Sequence, residues 1–77
     1  MEAKRTLRAL LAGVSEFRRL SMTPENHKGG WFPLPADFLD GPIAEDTRYE
    51  RQGDRLVEYR LNVGSLHWYV CGKYELR

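Results

Sequence analysis

The sequence has few of the residues from which chemical sites are built. Among its 77 residues there is one cysteine, Cys71, and there are two histidines, His27 and His67. Neither a Cys-x-x-Cys pair nor a His-Glu-x-x-His motif is present, and no glycine-rich phosphate loop is recognisable. If His67 and Cys71 share a strand, four residues at ~3.3 Å each separate them by about 13 Å, too far for one metal ion. We therefore expect no metal, no cofactor and no enzyme activity.

Disulfides and long apolar runs are also missing. A single cysteine cannot form an internal disulfide, which is typical of a reducing compartment. The apolar run near the N-terminus is short and interrupted by Arg8, and no stretch of eighteen apolar residues occurs. The sequence therefore predicts a cytoplasmic protein without a signal peptide, a transmembrane span or membrane binding.

An excess of charge of one sign is absent too, because the net charge is only +1. The charges are nevertheless unevenly distributed. Residues 1–20 carry five basic and two acidic side chains, residues 21–46 carry one basic and five acidic, and residues 47–77 are mildly basic. Either these segments neutralise one another in the fold, or the basic N-terminal segment contacts a polyanion.

What the sequence does contain is a pattern typical of an antiparallel β-meander. From Val57 to Val63 apolar and polar residues alternate, which is the period of a strand with one buried face. Gly64-Ser65 suits a two-residue turn. This turn predicts the pairs Val63–Leu66, Leu61–Trp68, Tyr59–Val70, Asn62–His67, Arg60–Tyr69 and Glu58–Cys71. The face carrying Tyr59, Leu61 and Trp68 is expected to be the core face.

Two further segments extend this sheet. Residues 47–51 are expected to form a strand, joined to the next by the three-residue loop Gln52-Gly53-Asp54, which pairs Tyr49 with Val57. Residues 74–76 are interpreted either as a short fourth strand or as a bulged extension of the third. Their charged neighbours suit a sheet edge, and self-association near Tyr74 would give a symmetric dimer.

Residues 2–20 are predicted to form an amphipathic helix that covers the sheet. The apolar side chains recur at steps of three and four, as in a helix with one buried face; they are Leu7, Leu10, Leu11, Val14, Phe17 and Leu20. The predicted fold is therefore a single α+β domain over residues 1–77, with this N-terminal helix packed on a three- to four-stranded antiparallel meander.

The connector around Trp31-Phe32-Pro33-Leu34-Pro35 joins helix and sheet. Its prolines favour an extended backbone. Its large apolar side chains either close the open end of the core or form an exposed anchor for a partner protein. Ala36 to Asp40 is expected to form one helical turn that ends at Gly41-Pro42.

Because no chemical motif stands out, the sequence favours a small protein-binding module over an enzyme. Such a module would inhibit or regulate a larger protein or nucleoprotein machine by occluding its surface. The size of the chain is typical of proteins encoded by phages and mobile elements, and a monomer or an edge-strand homodimer is expected. The candidate contact residues are Trp31, Phe32, Arg60, His67 and Tyr69.

The alternative hypothesis is nucleic-acid binding through one of two surfaces. Four arginines on the outer face of the predicted helix would contact phosphates: Arg5, Arg8, Arg18 and Arg19. The other surface is the sheet face of Arg60, His67 and Tyr69, where aromatic rings would stack on bases. The low net charge and the acidic segment 21–46 argue against both surfaces.

Overall fold

The computed structural model describes residues 6–20 and 30–77, and this part of the chain is mostly β. Within these residues five antiparallel strands form one sheet, accompanied by one short helix. In chain order the elements are β1 (Glu16–Leu20), β2 (Phe32–Pro33), α1 (Ala36–Asp40), β3 (Thr47–Gln52), β4 (Arg55–Asn62) and β5 (His67–Leu76). The strand order across the sheet is β2-β1-β5-β4-β3, so β5 is the central strand.

The predicted N-terminal helix is wrong, and with it the α+β fold class. Residues 7–13 form turns that end at Gly13, whose φ of +84° lies outside the helical region. Residues 16–20 form β1, which pairs with β5 by placing Phe17 opposite Leu76. Pairing with the central strand satisfies the backbone groups of this segment and overrides its helical spacing. The start of the predicted helix, residues 2–5, lies outside the described residues.

The main hydrophobic cluster lies on one face of the sheet, which we call the core face; Val57 is also buried but lies on the other face. Leu7 and Leu11 of the N-terminal turns and Leu56 of β4 are 2% exposed or less, and Leu76 of β5 lies beside them. Leu7 and Leu11 are four residues apart, as on one face of a helix, but here two successive turns of the chain bring both side chains into the core. The predicted helical turn α1 is confirmed, and its Phe38 packs on this cluster.

The β4–β5 hairpin confirms most of the predicted register. Asn62–His67, Arg60–Tyr69, Leu61–Trp68 and Tyr59–Val70 are paired as expected. The turn differs, because residues 63–66 all lie outside the ladder, so Val63 and Leu66 are not a strand pair. Glu58 is opposite Gly72 instead of Cys71, because a β-bulge interrupts the ladder between Glu58 and Tyr59.

The predicted β3–β4 register is wrong by one residue. The loop has two residues, Gly53 and Asp54, and Tyr49 is therefore opposite Glu58. Gly53 adopts a φ of +64°, which suits the first central position of a type II′ turn. This two-residue loop puts the acidic Glu58 across from Tyr49, which packs against the core. The Tyr49 hydroxyl, however, donates a hydrogen bond of 3.2 Å to the Glu58 carboxylate.

This register and the bulge together move the core to the face opposite the predicted one. Leu56 and its partner Tyr74 face the core, whereas Leu61 and Trp68 lie on the reverse face. Residues 74–76 are the bulged extension of the third predicted strand, the second of the two interpretations. Tyr74 is paired on both sides, with Arg19 and with Leu56, so it is not at a sheet edge.

Candidate functional site

Large apolar side chains are concentrated at the end of the β4–β5 hairpin. Among the described residues four large hydrophobic side chains are exposed, and three of them belong to this hairpin: Val63 (75%), Leu66 (72%) and Tyr69 (50%). Arg60 and His67, which are also exposed, flank them. We call this set of five the hairpin-tip surface. It combines apolar, aromatic and cationic groups within one turn and two strand ends.

The turn that presents this surface is held by Asn62. The Asn62 side-chain oxygen Oδ1 accepts hydrogen bonds from the backbone N–H groups of Gly64 (3.0 Å) and Ser65 (3.3 Å). The Asn62 carbonyl accepts a third from the N–H of Leu66 (2.7 Å). Asparagine side chains stabilise turns in this way. The apolar side chains at the tip therefore project from a defined backbone.

Leu66 has an unusual backbone conformation. Its φ of +59° is the only positive value among the non-glycine residues that the structure describes. The left-handed region is unfavourable for a residue with a Cβ by roughly 1–2 kcal/mol. Leu66 gains little from packing in return, because its side chain is exposed. A strained backbone that holds a large apolar group in solvent is the kind of outlier that occurs at binding sites.

The polar members of the surface are fixed by the strand pairing. Arg60 is directly opposite Tyr69, and His67 is opposite Asn62, so these side chains leave the same face of the hairpin. Arg60 also lines a hollow of about 280 Å³ between the sheet and α1, together with Asp37. The surface is therefore continuous with a concave region that leads towards the core.

Trp31 and Phe32, the two connector candidates, lie elsewhere. The Trp31 ring packs under two guanidinium groups, with its centroid 4.7 Å from Arg18 Cζ and 4.1 Å from Arg77 Cζ. Phe32 is 59% exposed, in the two-residue edge strand β2. Phe32 is paired with Phe17, and Phe17 is opposite Leu76. Leu76 is nine residues along β5 from His67, so the strand separates the two ends by about 30 Å. The five predicted contact residues therefore form two separate groups.

The four arginines of the alternative hypothesis do not form one face. Arg8 donates two hydrogen bonds to the Asp40 carboxylate, one of them 2.8 Å long from Nη2, and this pairing lowers the pKa of Asp40. Arg18 pairs with Glu75 at 2.9 Å. Arg19 follows Arg18 in β1 and therefore points to the opposite side of the sheet. Arg5 lies outside the described residues. Without the helix, no common phosphate-binding face remains within the described part of the chain.

A polar centre occupies the middle of the core face. The Glu58 carboxylate accepts hydrogen bonds from the hydroxyls of Tyr49 (3.2 Å) and Tyr74 (3.3 Å). Burial raises the pKa of the neighbouring Cys71 thiol, and the negative charge of Glu58 raises it further. Cys71 is therefore held as a neutral thiol at neutral pH, which is the opposite of what an activated nucleophile needs.

No metal-binding cluster is found among residues 6–20 and 30–77, where no three His, Cys, Asp or Glu side chains come together suitably. In the same part of the chain no helix is long and apolar enough to cross a membrane.

Val63 and Leu66 are the members of the hairpin-tip surface that sequence reasoning missed. Both belong to the apolar face of the alternating pattern, and this pattern alone predicts burial. The signal that could have identified them is their position on either side of Gly64-Ser65, because side chains beside a hairpin turn extend past the end of the core. Comparison of the chain with protein-family models, with curated proteins and with solved structures gives no match.

Proposed function

We propose that the protein is a small binding module that regulates or inhibits a larger protein by covering part of its surface through the hairpin-tip surface. The observation that carries this proposal is the concentration of exposed apolar groups at one hairpin, with Val63 and Leu66 in its turn and Tyr69 opposite Arg60 in the adjoining strands. In the reducing, cytoplasmic setting that a single cysteine suggests, the partner would be another cytoplasmic protein.

The composition of the surface supports a protein partner. Tyrosine and arginine are enriched among the residues that dominate binding energy, and they act best when apolar neighbours exclude water around them. Lone exposed apolar residues are ordinary on protein surfaces, whereas a cluster rimmed by polar groups indicates an interaction site. The hairpin-tip surface has that composition: two aliphatic side chains at its end, with Tyr69, Arg60 and His67 behind them.

The rigidity of the turn supports the proposal independently. Three hydrogen bonds to Asn62 fix the backbone from Gly64 to Leu66 before any partner arrives. A preorganised loop loses less conformational entropy on binding than a flexible one, so more of the contact energy appears as affinity. The strain at Leu66 is understandable if its side chain fills a pocket in the partner.

Capture experiments with paired variants test this function. The protein is immobilised and exposed to lysate of the source cells, and bound proteins are quantified by mass spectrometry for the wild type and for Leu66→Asn. Asparagine tolerates the left-handed conformation, so the turn is retained while the apolar anchor is removed. We expect a specific partner of the wild type to be reduced at least tenfold with this variant.

Phe32→Asn is the matched comparison, because it makes the same change at an exposed apolar residue far from the hairpin tip. We expect it to capture the partner as well as the wild type does. Loss of capture with Phe32→Asn and retention with Leu66→Asn would place the interface at β2 and refute the proposed surface. Circular dichroism of both variants checks that they are folded.

A further inference from the structure

The strand β3 forms one edge of the sheet, and the direction of its backbone groups can be worked out. The N–H of Leu61 donates to the carbonyl of Asp46 at 2.9 Å, so these two residues are a hydrogen-bonded pair. In an antiparallel ladder such pairs alternate with pairs whose N–H and C=O groups point away from each other. Arg48 and Glu50 therefore bond to β4, whereas Tyr49 and Arg51 direct their backbone groups outwards.

These outward groups lie on the side of β3 away from β4, where the described part of the sheet has no further strand. No described residue hydrogen-bonds the backbone N–H of Tyr49 or Arg51. The side chain of Arg51 instead reaches over the core face, where Nη1 donates to the carbonyls of Leu10 and Ala12 at 3.1 Å. An edge with unpaired backbone groups is a template for another strand.

The sequence of β3 favours a second copy of itself as that strand. An antiparallel partner must put outward-facing residues opposite outward-facing residues, which limits the registers to steps of two. With Tyr49 opposite Tyr49 of the second copy, Arg48 of each copy is opposite Glu50 of the other. Shifting the second copy by two residues in one direction puts Arg48 opposite Arg48, and shifting it by two residues in the other direction puts Glu50 opposite Glu50. Among these three registers, charge therefore selects the one centred on Tyr49.

We propose that two copies of the chain pair through β3 in this register and form a continuous ten-stranded sheet with two-fold symmetry. The two Tyr49 residues would exchange two backbone hydrogen bonds, and two Arg48–Glu50 pairs would flank them on the reverse face. This proposal does not depend on the hairpin-tip surface, which lies at the β4–β5 turn and not on β3. Because the strands have only six residues, the interface is small, and the dimer is expected to dissociate on dilution.

Sedimentation equilibrium over a range of protein concentrations, with charge reversals in β3, tests the pairing. Arg48→Glu and Glu50→Arg each turn two attractive cross-strand pairs into two repulsive ones. Each variant is expected to weaken dimerisation about tenfold. The double variant Arg48→Glu/Glu50→Arg restores both attractive pairs and is expected to dimerise within threefold of the wild type. This reciprocal rescue depends on the proposed register.

Arg55→Glu is the control, because it makes the same change of charge on the same sheet face, one strand away from the edge. It is expected to leave the dimerisation constant within threefold of the wild-type value. Hydrogen exchange adds a second readout: the Tyr49 and Arg51 amides should become protected as concentration rises, while those of Arg48 and Glu50 are protected throughout. A wild type that remains monomeric at millimolar concentration would overturn the proposal. Failure of the double variant to recover would overturn it as well.

Discussion

At the scale of single residues, Leu66 combines an unfavourable backbone angle with an exposed side chain. Folding stability alone gives no reason for leucine at this position, because glycine would adopt the same angle without strain. We predict that Leu66→Gly raises the free energy of unfolding by about 1 kcal/mol, since the strain relieved exceeds the entropy that glycine adds to the unfolded chain. Urea denaturation measures this change.

Ser65→Gly is the control for that prediction, because the neighbouring Ser65 has no positive φ to relieve. It should be neutral or destabilising. A fall in stability of more than about 1 kcal/mol with Leu66→Gly would show that the leucine side chain contributes more by packing than its backbone strain costs.

Tyr49 gives a prediction of pH dependence. Burial, and then the adjacent Glu58 carboxylate, raise the pKa of the Tyr49 hydroxyl above its ordinary value of about 10. A raised pKa in the folded state stabilises the fold fully below pH ~10, and this contribution is lost as the pH rises further, because only the unfolded chain then releases its proton. We expect Tyr49→Phe to make the fall in stability between pH 10 and 11.5 shallower. Urea titrations at each pH measure it, and an unchanged slope would contradict the assignment.

At the scale of the elements, the bulge at Cys71 decides which side chains enter the core. It places the even-numbered Trp68 and Val70 on the reverse face and the even-numbered Tyr74 and Leu76 on the core face. A strand without a bulge keeps all these residues on one side. For the fold, the side chain of Cys71 therefore matters less than the presence of one extra residue at this position.

Deleting Cys71 and substituting it are therefore expected to differ greatly. Without the extra residue, Trp68, Val70, Tyr74 and Leu76 would all lie on one face of the sheet. Either Tyr74 and Leu76 would then leave the core, or Trp68 and Val70 would change face, so deletion should abolish cooperative unfolding. Cys71→Ala should cost about 1 kcal/mol or less, since the bulge remains. Urea unfolding followed by tryptophan fluorescence distinguishes the two. A deletion variant as stable as Cys71→Ala would contradict the role given to the bulge.

The same elements mark how far the sequence alone could predict the fold. The pairing from Tyr59 to Val70 followed from alternation and a turn, because both signals are local. The bulge could not be anticipated from local pattern, since the packing of Leu76 with Leu7 and Leu11 that accompanies it joins residues far apart in the chain. The strand Glu16–Leu20 has the apolar spacing of a helix, and only its pairing with the C-terminal strand makes it a strand. Of the candidate site, Arg60, His67 and Tyr69 could be placed together from register. The alternation by itself predicts burial for Leu66, and only its position beside the turn indicates exposure.

At the scale of the whole molecule, the described chain is a sheet with one face packed by the N-terminal turns and α1. Leu56 lies at the centre of that packing and is 1% exposed, whereas Leu61, in the same strand, belongs to the reverse face. We predict that Leu56→Ala costs about 2–5 kcal/mol of unfolding free energy and that Leu61→Ala costs about 1 kcal/mol. Urea denaturation of the two variants compares the faces directly. A larger loss with Leu61→Ala would return the core to the face that the alternation predicted.

Contact between the hairpin tip and a partner protein is the central claim, and site-specific photo-crosslinking tests it most directly. A photoreactive phenylalanine analogue is placed at position 66, and in a separate sample at position 32, before exposure to source-cell lysate and light. Both positions are exposed, and they lie at opposite ends of the sheet. We predict one dominant covalent adduct from position 66 and none of the same mass from position 32. A dominant adduct from position 32 alone, or none from position 66, would contradict the assignment of the binding surface.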